Sequence, residues 1–283
     1  MADWGIITAA LTPFADDGSV DEDAFVVLVG YLLDNGSDGV VVAGTTGEGA
    51  TLTDDEKVRL FELAVSEYGD RARIVAGTGS NDTAHTVHLT KRATAIGCDA
   101  MLCVTPYYNK PNFRGLVAHY EAIAAVTDKP IVLYNIPSRC VVDISNDELA
   151  RLAEIPNVSA VKQARYEDIQ PIDGLDLLAG NDDVLAEVLD KGGAGGITVA
   201  SHLVGPEMRR MVDEPDLRQE IHSNLVPVFK AMSVTTNPIP VKTAMAMLGH
   251  RVGGFRLPMI EASDQEKAAI RGALEQHGLL SAV

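Results

Sequence analysis

Short apolar runs of the kind that read as buried strands recur along the chain, at 6–11, 39–44, 73–79, 100–106, 131–136, 158–164, 176–180 and 195–200. Between them the apolar positions return every three or four residues, the period of a helix lying on a core. DEDAFVVLVGYLLDNG is one such stretch. Another is TDDEKVRLFELAVSEYG, where Thr53 with Glu56 three residues on has the form of a capping box. Gly36 and Gly69 fall where the left-handed residue after a helix belongs. A strand followed by a helix, eight times over, requires a parallel sheet, and eight units close a TIM (β/α)8 barrel. The competing open, doubly wound sheet would be expected to carry G-x-G-x-x-G after an early strand. Here Gly77-Thr78-Gly79 continues as Ser80-Asn81-Asp82 instead. The barrel is expected to occupy residues 1–215, ending at the break in MVDEPDL. Residues 216–283 read as a C-terminal helical domain, with helical patterns after NPIPVK and from Asp264 to Gly278.

The polar residues change this picture from a scaffold to a site. Chemistry on such a barrel sits at the C-terminal ends of the strands. The second run ends in Thr45 and Thr46, the fourth in Tyr107 and Tyr108, and the fifth carries Tyr134 with Arg139 just beyond. In the sixth, Lys162 closes the apolar run VSAV. A buried ammonium without a partner is costly, so such a lysine is paired, reaches solvent, or is kept neutral for a purpose. The eighth opens on Gly195-Gly196-Ile197, paired glycines that would let a ligand approach the backbone closely.

Composition narrows the classes. With 283 residues, 46% of them hydrophobic, the chain has enough material for one large core. Its net charge of −17, with no basic run, argues against a nucleic-acid partner. The three cysteines, Cys98, Cys103 and Cys140, form no CxxC and suit a reducing cytoplasm. The stretch MADWGIITAALTPF lacks the basic start of a signal peptide, and no run reaches the length of a membrane span. The seven histidines are scattered, so neither a metal nor another cofactor is expected. GTTGEGAT lacks the G-K-[ST] ending of a P-loop.

What remains is a desolvated lysine among phenols, threonines and a guanidinium. Desolvation and nearby positive charge lower a lysine's pKa and free the lone pair that attacks a carbonyl. The resulting imine draws electrons from the neighbouring carbon, a tyrosine can relay protons, and Arg139 can grip a carboxylate in two parallel hydrogen bonds. These residue types describe a Schiff-base lyase or aldolase acting on a 2-oxo acid. Each residue also has a structural reading. Lys162 could be a paired strand-end charge, Tyr134 a core tyrosine, Tyr107 and Tyr108 loop or interface aromatics, and Arg139 a solvated loop residue. Their convergence on one rim favours the chemical reading.

GTTGEGATLTDDE, AGTGSN, VTPYYNKP, LYNIPSR, AVK, GGAGGIT, NPIPVK and RLPM occur in this order over essentially the whole chain. In these motifs the chain resembles the dihydrodipicolinate synthase and N-acetylneuraminate lyase superfamily, and within it most closely the dihydrodipicolinate synthase family. The resemblance implies that Lys162 forms an imine with pyruvate. Tyr134 would relay protons with Thr45 and with Tyr108, the last supplied by a neighbouring subunit, so a homodimer or homotetramer is implied. Thr46 and the backbone at Gly196 and Ile197 would hold the pyruvate end. Arg139 would hold the carboxylate of L-aspartate 4-semialdehyde, giving 4-hydroxy-tetrahydrodipicolinate for diaminopimelate and lysine synthesis. Alternatives within the superfamily are lyases acting on N-acetylneuraminate, 4-hydroxy-2-oxoglutarate or 2-keto-3-deoxy sugar acids; outside it, a non-catalytic 2-oxo acid sensor. Two departures stand out: Gln163 follows the lysine where an acid is common, and Cys140-Val141 follows the arginine where Thr-Gly is common. At the family's lysine-inhibition site Asn81 and Tyr107 are kept, but His85 stands where a glutamate would be and Lys57 replaces a frequent histidine. The resemblance therefore implies weak or absent inhibition by lysine.

Overall fold

A computed structural model describes residues 4–281; Asp3, in the amino-terminal stretch read above, lies outside them. Eight strands close into one barrel in chain order. They are β1 (Gly5–Ala9), β2 (Gly39–Val42), β3 (Arg73–Gly77), β4 (Ala100–Val104), β5 (Ile131–Asn135), β6 (Val158–Gln163), β7 (Asp176–Ala179) and β8 (Gly195–Thr198). Every neighbouring pair is parallel, and β8 closes on β1. Around the barrel run α1 (Glu22–Asp34), α2 (Asp54–Tyr68), α3 (Thr83–Ile96), α4 (Phe113–Ala124), the short α5 (Pro137–Cys140), α6 (Asn146–Leu152), α7 (Leu185–Asp190) and α8 (Ser201–Asp213). Three helices follow: α9 (Arg218–Ala231), α10 (Ile239–Met247) and α11 (Asp264–Gln276).

Alternation along the strands explains why the runs look apolar throughout. Ile7, Val41, Val75, Leu102, Val132, Ala160 and Ile197 fill the barrel interior. Ile6, Val40, Val42, Ile74, Met101, Leu133 and Val161 face outward against the helices. Both faces of each strand are covered, so both must be apolar. On β6 this places Ala160 and Lys162 on the interior face, and Val161 and Gln163 on the outer one.

The helix ends follow local chemistry. Thr53 and Glu56 form the capping box, with the Thr53 N–H donating to Glu56 Oε2 at 2.9 Å. Gly36 has φ +89, as a left-handed terminator should. Gly69 differs: it ends α2 at φ −59 in the right-handed region, so its place is not the left-handed one expected.

The last three helices are tied to the barrel by charge as well as by core residues such as Leu225, Met245 and Leu274. Lys242 on α10 donates to Glu48 Oε1 at 2.8 Å and to the Thr12 carbonyl at 3.0 Å, all buried. Arg256 grips both carboxylate oxygens of Glu56, at 2.8 and 2.6 Å. Among the described residues no helix is long and apolar enough to cross a membrane.

Candidate active site

A cavity of about 230 Å³ opens at the C-terminal ends of the strands. That is smaller than the roughly 300–1,000 Å³ typical of sites for drug-sized ligands, and it suits small acids. Its inner wall holds Ala9, Val41 and Leu102; polar side chains from four βα connections, those after β2, β5, β6 and β7, stand around it. Lys162, Tyr134, Thr45, Thr46 and Arg139 all line this one space.

Lys162 sits at the centre of the electrostatics. Its residue is only 5% exposed. The β5–β6 register sets it directly beside Tyr134, and Nζ lies 4.2 Å from the centre of the phenol ring. Among the described residues no hydrogen-bond acceptor or ion-pair partner holds the amine. Burial pushes its pKa down to about 8; the Asp182 charge opposes that shift and the Arg139 charge adds to it. Burial pushes the Tyr134 phenol up to about 12, against the pull of Arg139 and of a hydrogen bond with Thr45. A neutral phenol beside a depressed amine can pass a proton in either direction.

Asp182 is the acid that sequence reading missed. Lys162 pairs with Leu178 on β7, and the chain beyond that strand bends back through Asn181 and Asp182 into the cavity wall. Asp182 Oδ1 accepts from the Val199 N–H at 2.8 Å. Burial raises its pKa to about 6, partly offset by the amides of Val199 and Ala200 and by Lys162. The available signal was the polar cluster NDD directly after the seventh run.

Gln163 accepts a hydrogen bond from Asn135 Nδ2 at 3.0 Å on the outer face of the strands. It therefore takes no part in the cavity. Arg139 lies at the mouth, its Nη2 donating to the Asn237 carbonyl at 3.2 Å. Asn237, with Phe229, Met232 and Ser233, covers the cavity from the C-terminal helices. Nothing in the spacing of NPIPVK announces that placement.

Three expected residues lie elsewhere in this chain. Gly196 and Ile197 are buried within β8, and neither lines the cavity. A Cβ on Gly195 would strike the Gly5 carbonyl, and one on Gly196 would meet Leu185 Cδ1 at 3.0 Å. The close approach these glycines permit is to protein. Tyr108 is 89% exposed at φ +72 and does not line the cavity within its own chain. Farther away, His85 Nε2 lies 2.8 Å from Asp54 Oδ1, so this nearby carboxylate already has a partner.

The model of the dihydrodipicolinate synthetase family matches residues 3–277. The 4-hydroxy-tetrahydrodipicolinate synthase of Moorella thermoacetica is 44% identical, over 98% of this chain and 99% of its own. That of Bacillus subtilis is 40% identical over 96% and 98%. Among solved structures, the dihydrodipicolinate synthase of Acinetobacter baumannii complexed with pyruvate superposes with a TM-score of 0.95. It is 34% identical and covers 99% of this chain and all of its own. The Aquifex aeolicus enzyme gives 0.93 at 38% identity, over 98% of both chains. The chain belongs to the dihydrodipicolinate synthetase family.

Proposed function

We propose that this protein condenses pyruvate with L-aspartate 4-semialdehyde to 4-hydroxy-tetrahydrodipicolinate, on the route to diaminopimelate and lysine. One observation carries the reading: a buried lysine amine with no hydrogen-bonding partner among the described residues, depressed to about 8, beside a tyrosine in a small cavity with an arginine at its mouth. The neutral amine of Lys162 attacks the ketone carbon of pyruvate, and loss of water leaves an imine. The imine acidifies the methyl group, whose proton leaves to give an enamine. Tyr134, backed by Thr45 and by Tyr108 of a second subunit, relays these protons. Thr46 binds the pyruvate carboxylate. Arg139 binds the carboxylate of the aldehyde. The enamine carbon then attacks the aldehyde, forming the new carbon–carbon bond. The substrate's own amine displaces Lys162 from the imine carbon, closing the ring and regenerating the enzyme.

The relatives named for this synthase activity and the pyruvate-bound structure support the assignment. The buried cysteines Cys98, Cys103 and Cys140, all free, fit a reducing cytoplasm. The working unit in this reading is a homodimer, free or paired into a homotetramer.

Borohydride added with pyruvate is expected to reduce the imine and leave the label on Lys162, located by peptide mass mapping. The Lys162→Ala variant takes no label and does not turn over. A fully active Lys162→Ala protein sinks the mechanism. A 2-oxo acid sensor would bind pyruvate without the adduct. A coupled assay with L-aspartate 4-semialdehyde, run beside N-acetylneuraminate and 4-hydroxy-2-oxoglutarate cleavage, separates the synthase from its superfamily alternatives.

A further inference from the structure

The segment joining α9 to α10 crosses the barrel mouth, and Asn237 is the residue of it that touches two parts of the site. Its side-chain Nδ2 donates to Thr46 Oγ1 at 3.0 Å. Its main-chain carbonyl accepts from Arg139 Nη2 at 3.2 Å. We infer that Asn237 is a positioning residue of this active site, orienting the Thr46 hydroxyl as a donor toward the carboxylate of the 2-oxo acid while holding Arg139 at the mouth. The inference rests on the reading of the cavity given above.

One proton, that of the Thr46 hydroxyl, is at stake. A hydroxyl offers one hydrogen and accepts through its lone pairs. Thr46 is buried in the cavity wall, so its hydroxyl has few directions open to it. With a lone pair committed to the Asn237 amide, the hydroxyl proton is left for another acceptor. A carboxylate in the cavity takes it, and a bond to a charged acceptor is stronger than one between neutral groups. The Asn237 amide faces Thr46 through its N–H, and its Oδ1, buried and without a partner among the described residues, accepts no bond from the Thr46 hydroxyl.

The loop carrying Thr46 is itself held. Glu48, two residues further on, forms the buried ion pair with Lys242 on α10. The β2–α2 loop is thus joined to the crossing segment at Thr46–Asn237 and to α10 itself at Glu48–Lys242. A small movement of one element carries the other with it.

Substitution at position 237 separates orientation from mere packing. Asn237→Ala removes the donor to Thr46 but keeps the carbonyl that Arg139 uses. Asn237→Asp keeps the size and shape but has no N–H, so the carboxylate takes the Thr46 proton and adds a negative charge beside the bound acid. The measured quantities are the pyruvate concentration for half-maximal borohydride-trapped adduct and the KM for the aldehyde. The Ala variant is expected to raise the pyruvate half-saturation roughly three- to tenfold, and the Asp variant about a further tenfold, as befits loss of a hydrogen bond to a charged group. The aldehyde KM stays within about twofold, because the main-chain contact to Arg139 is retained.

An Asp variant equal to or better than Ala overturns the inference, as does an unchanged pyruvate half-saturation in both. Thr46→Val provides a second line of test. With no hydroxyl left to orient, adding Asn237→Ala to it should cost little more; two full, independent penalties count against the inference. A wild-type protein that traps no pyruvate overturns the functional reading, and this one with it. Normal wild-type trapping with indifferent variants overturns this one alone.

Discussion

In the proposed mechanism Lys162 reacts as the free amine, so its reactivity follows its pKa. At about 8, roughly a quarter of the molecules carry a neutral amine near pH 7.5, against about one in a thousand for an ordinary lysine at 10.5. Burial is the main cause, and the Asp182 charge works against it by stabilising the ammonium. The sign is fixed by this: as pH falls below about 8 the amine protonates, and the rate of adduct formation with pyruvate falls with it. Above about 8 the rate levels off. The Asp182 carboxyl, pushed up only to about 6, is ionised through the upper part of that range. Asp182→Asn keeps an oxygen for the Val199 N–H and deletes the charge. The acidic limb of single-turnover adduct formation is therefore expected to move to lower pH, by an amount on the order of one unit or less. A midpoint that stays in place, or moves up, shows that Asp182 only ties the β8–α8 turn.

At the level of elements, the contrast between two buried lysines shows what a sequence conceals. Lys242 is as buried as Lys162, and desolvation lowers its pKa too. Yet Glu48, 194 positions away along the chain, supplies it with a carboxylate at 2.8 Å. It is a strut, whereas Lys162 has no such partner among the described residues. The eight strands and the long helices were legible because periodicity is local, written within a dozen residues. The partners were not, because they are set by strand register and by the path of the C-terminal helices. The Asp182 charge is brought near Lys162 only through β6–β7 pairing, and Asn237 meets Thr46 only through the crossing before α10. Gln163 looked like a lost acid and proved to lie on the other face of its strand. The Glu48–Lys242 strut makes its own prediction. Glu48→Ala leaves an ammonium buried between Phe14 and Phe255 and is expected to cost about 3–5 kcal/mol in urea unfolding. Adding Lys242→Met should return much of that loss, because the unpaired charge is gone. A double variant weaker than the single one contradicts this account.

For the whole molecule, Tyr108 poses the remaining question. The sequence placed it on the rim, and the fold leaves it 89% exposed and out of its own cavity. A tyrosine held at φ +72 with its ring in solvent has no packing reason within one chain to stand there. In the proposed dimer it completes the relay of the partner's site, a two-fold exchange in which each subunit lends one residue and borrows one. That arrangement has a consequence no monomer shares. Lys162→Ala subunits have no nucleophile but a sound Tyr108. Tyr108→Phe subunits have the lysine but lend no phenol. In a mixed dimer one site receives both defects and the other receives none. After dissociation and reassembly of equal amounts, half the dimers are mixed and half of their sites are whole, so activity should rise to about a quarter of wild type. Each variant alone stays low, and mixing without subunit exchange changes nothing. Activity that only averages the two parents after verified exchange would mean that each barrel works with its own residues, and Tyr108 would then need another role.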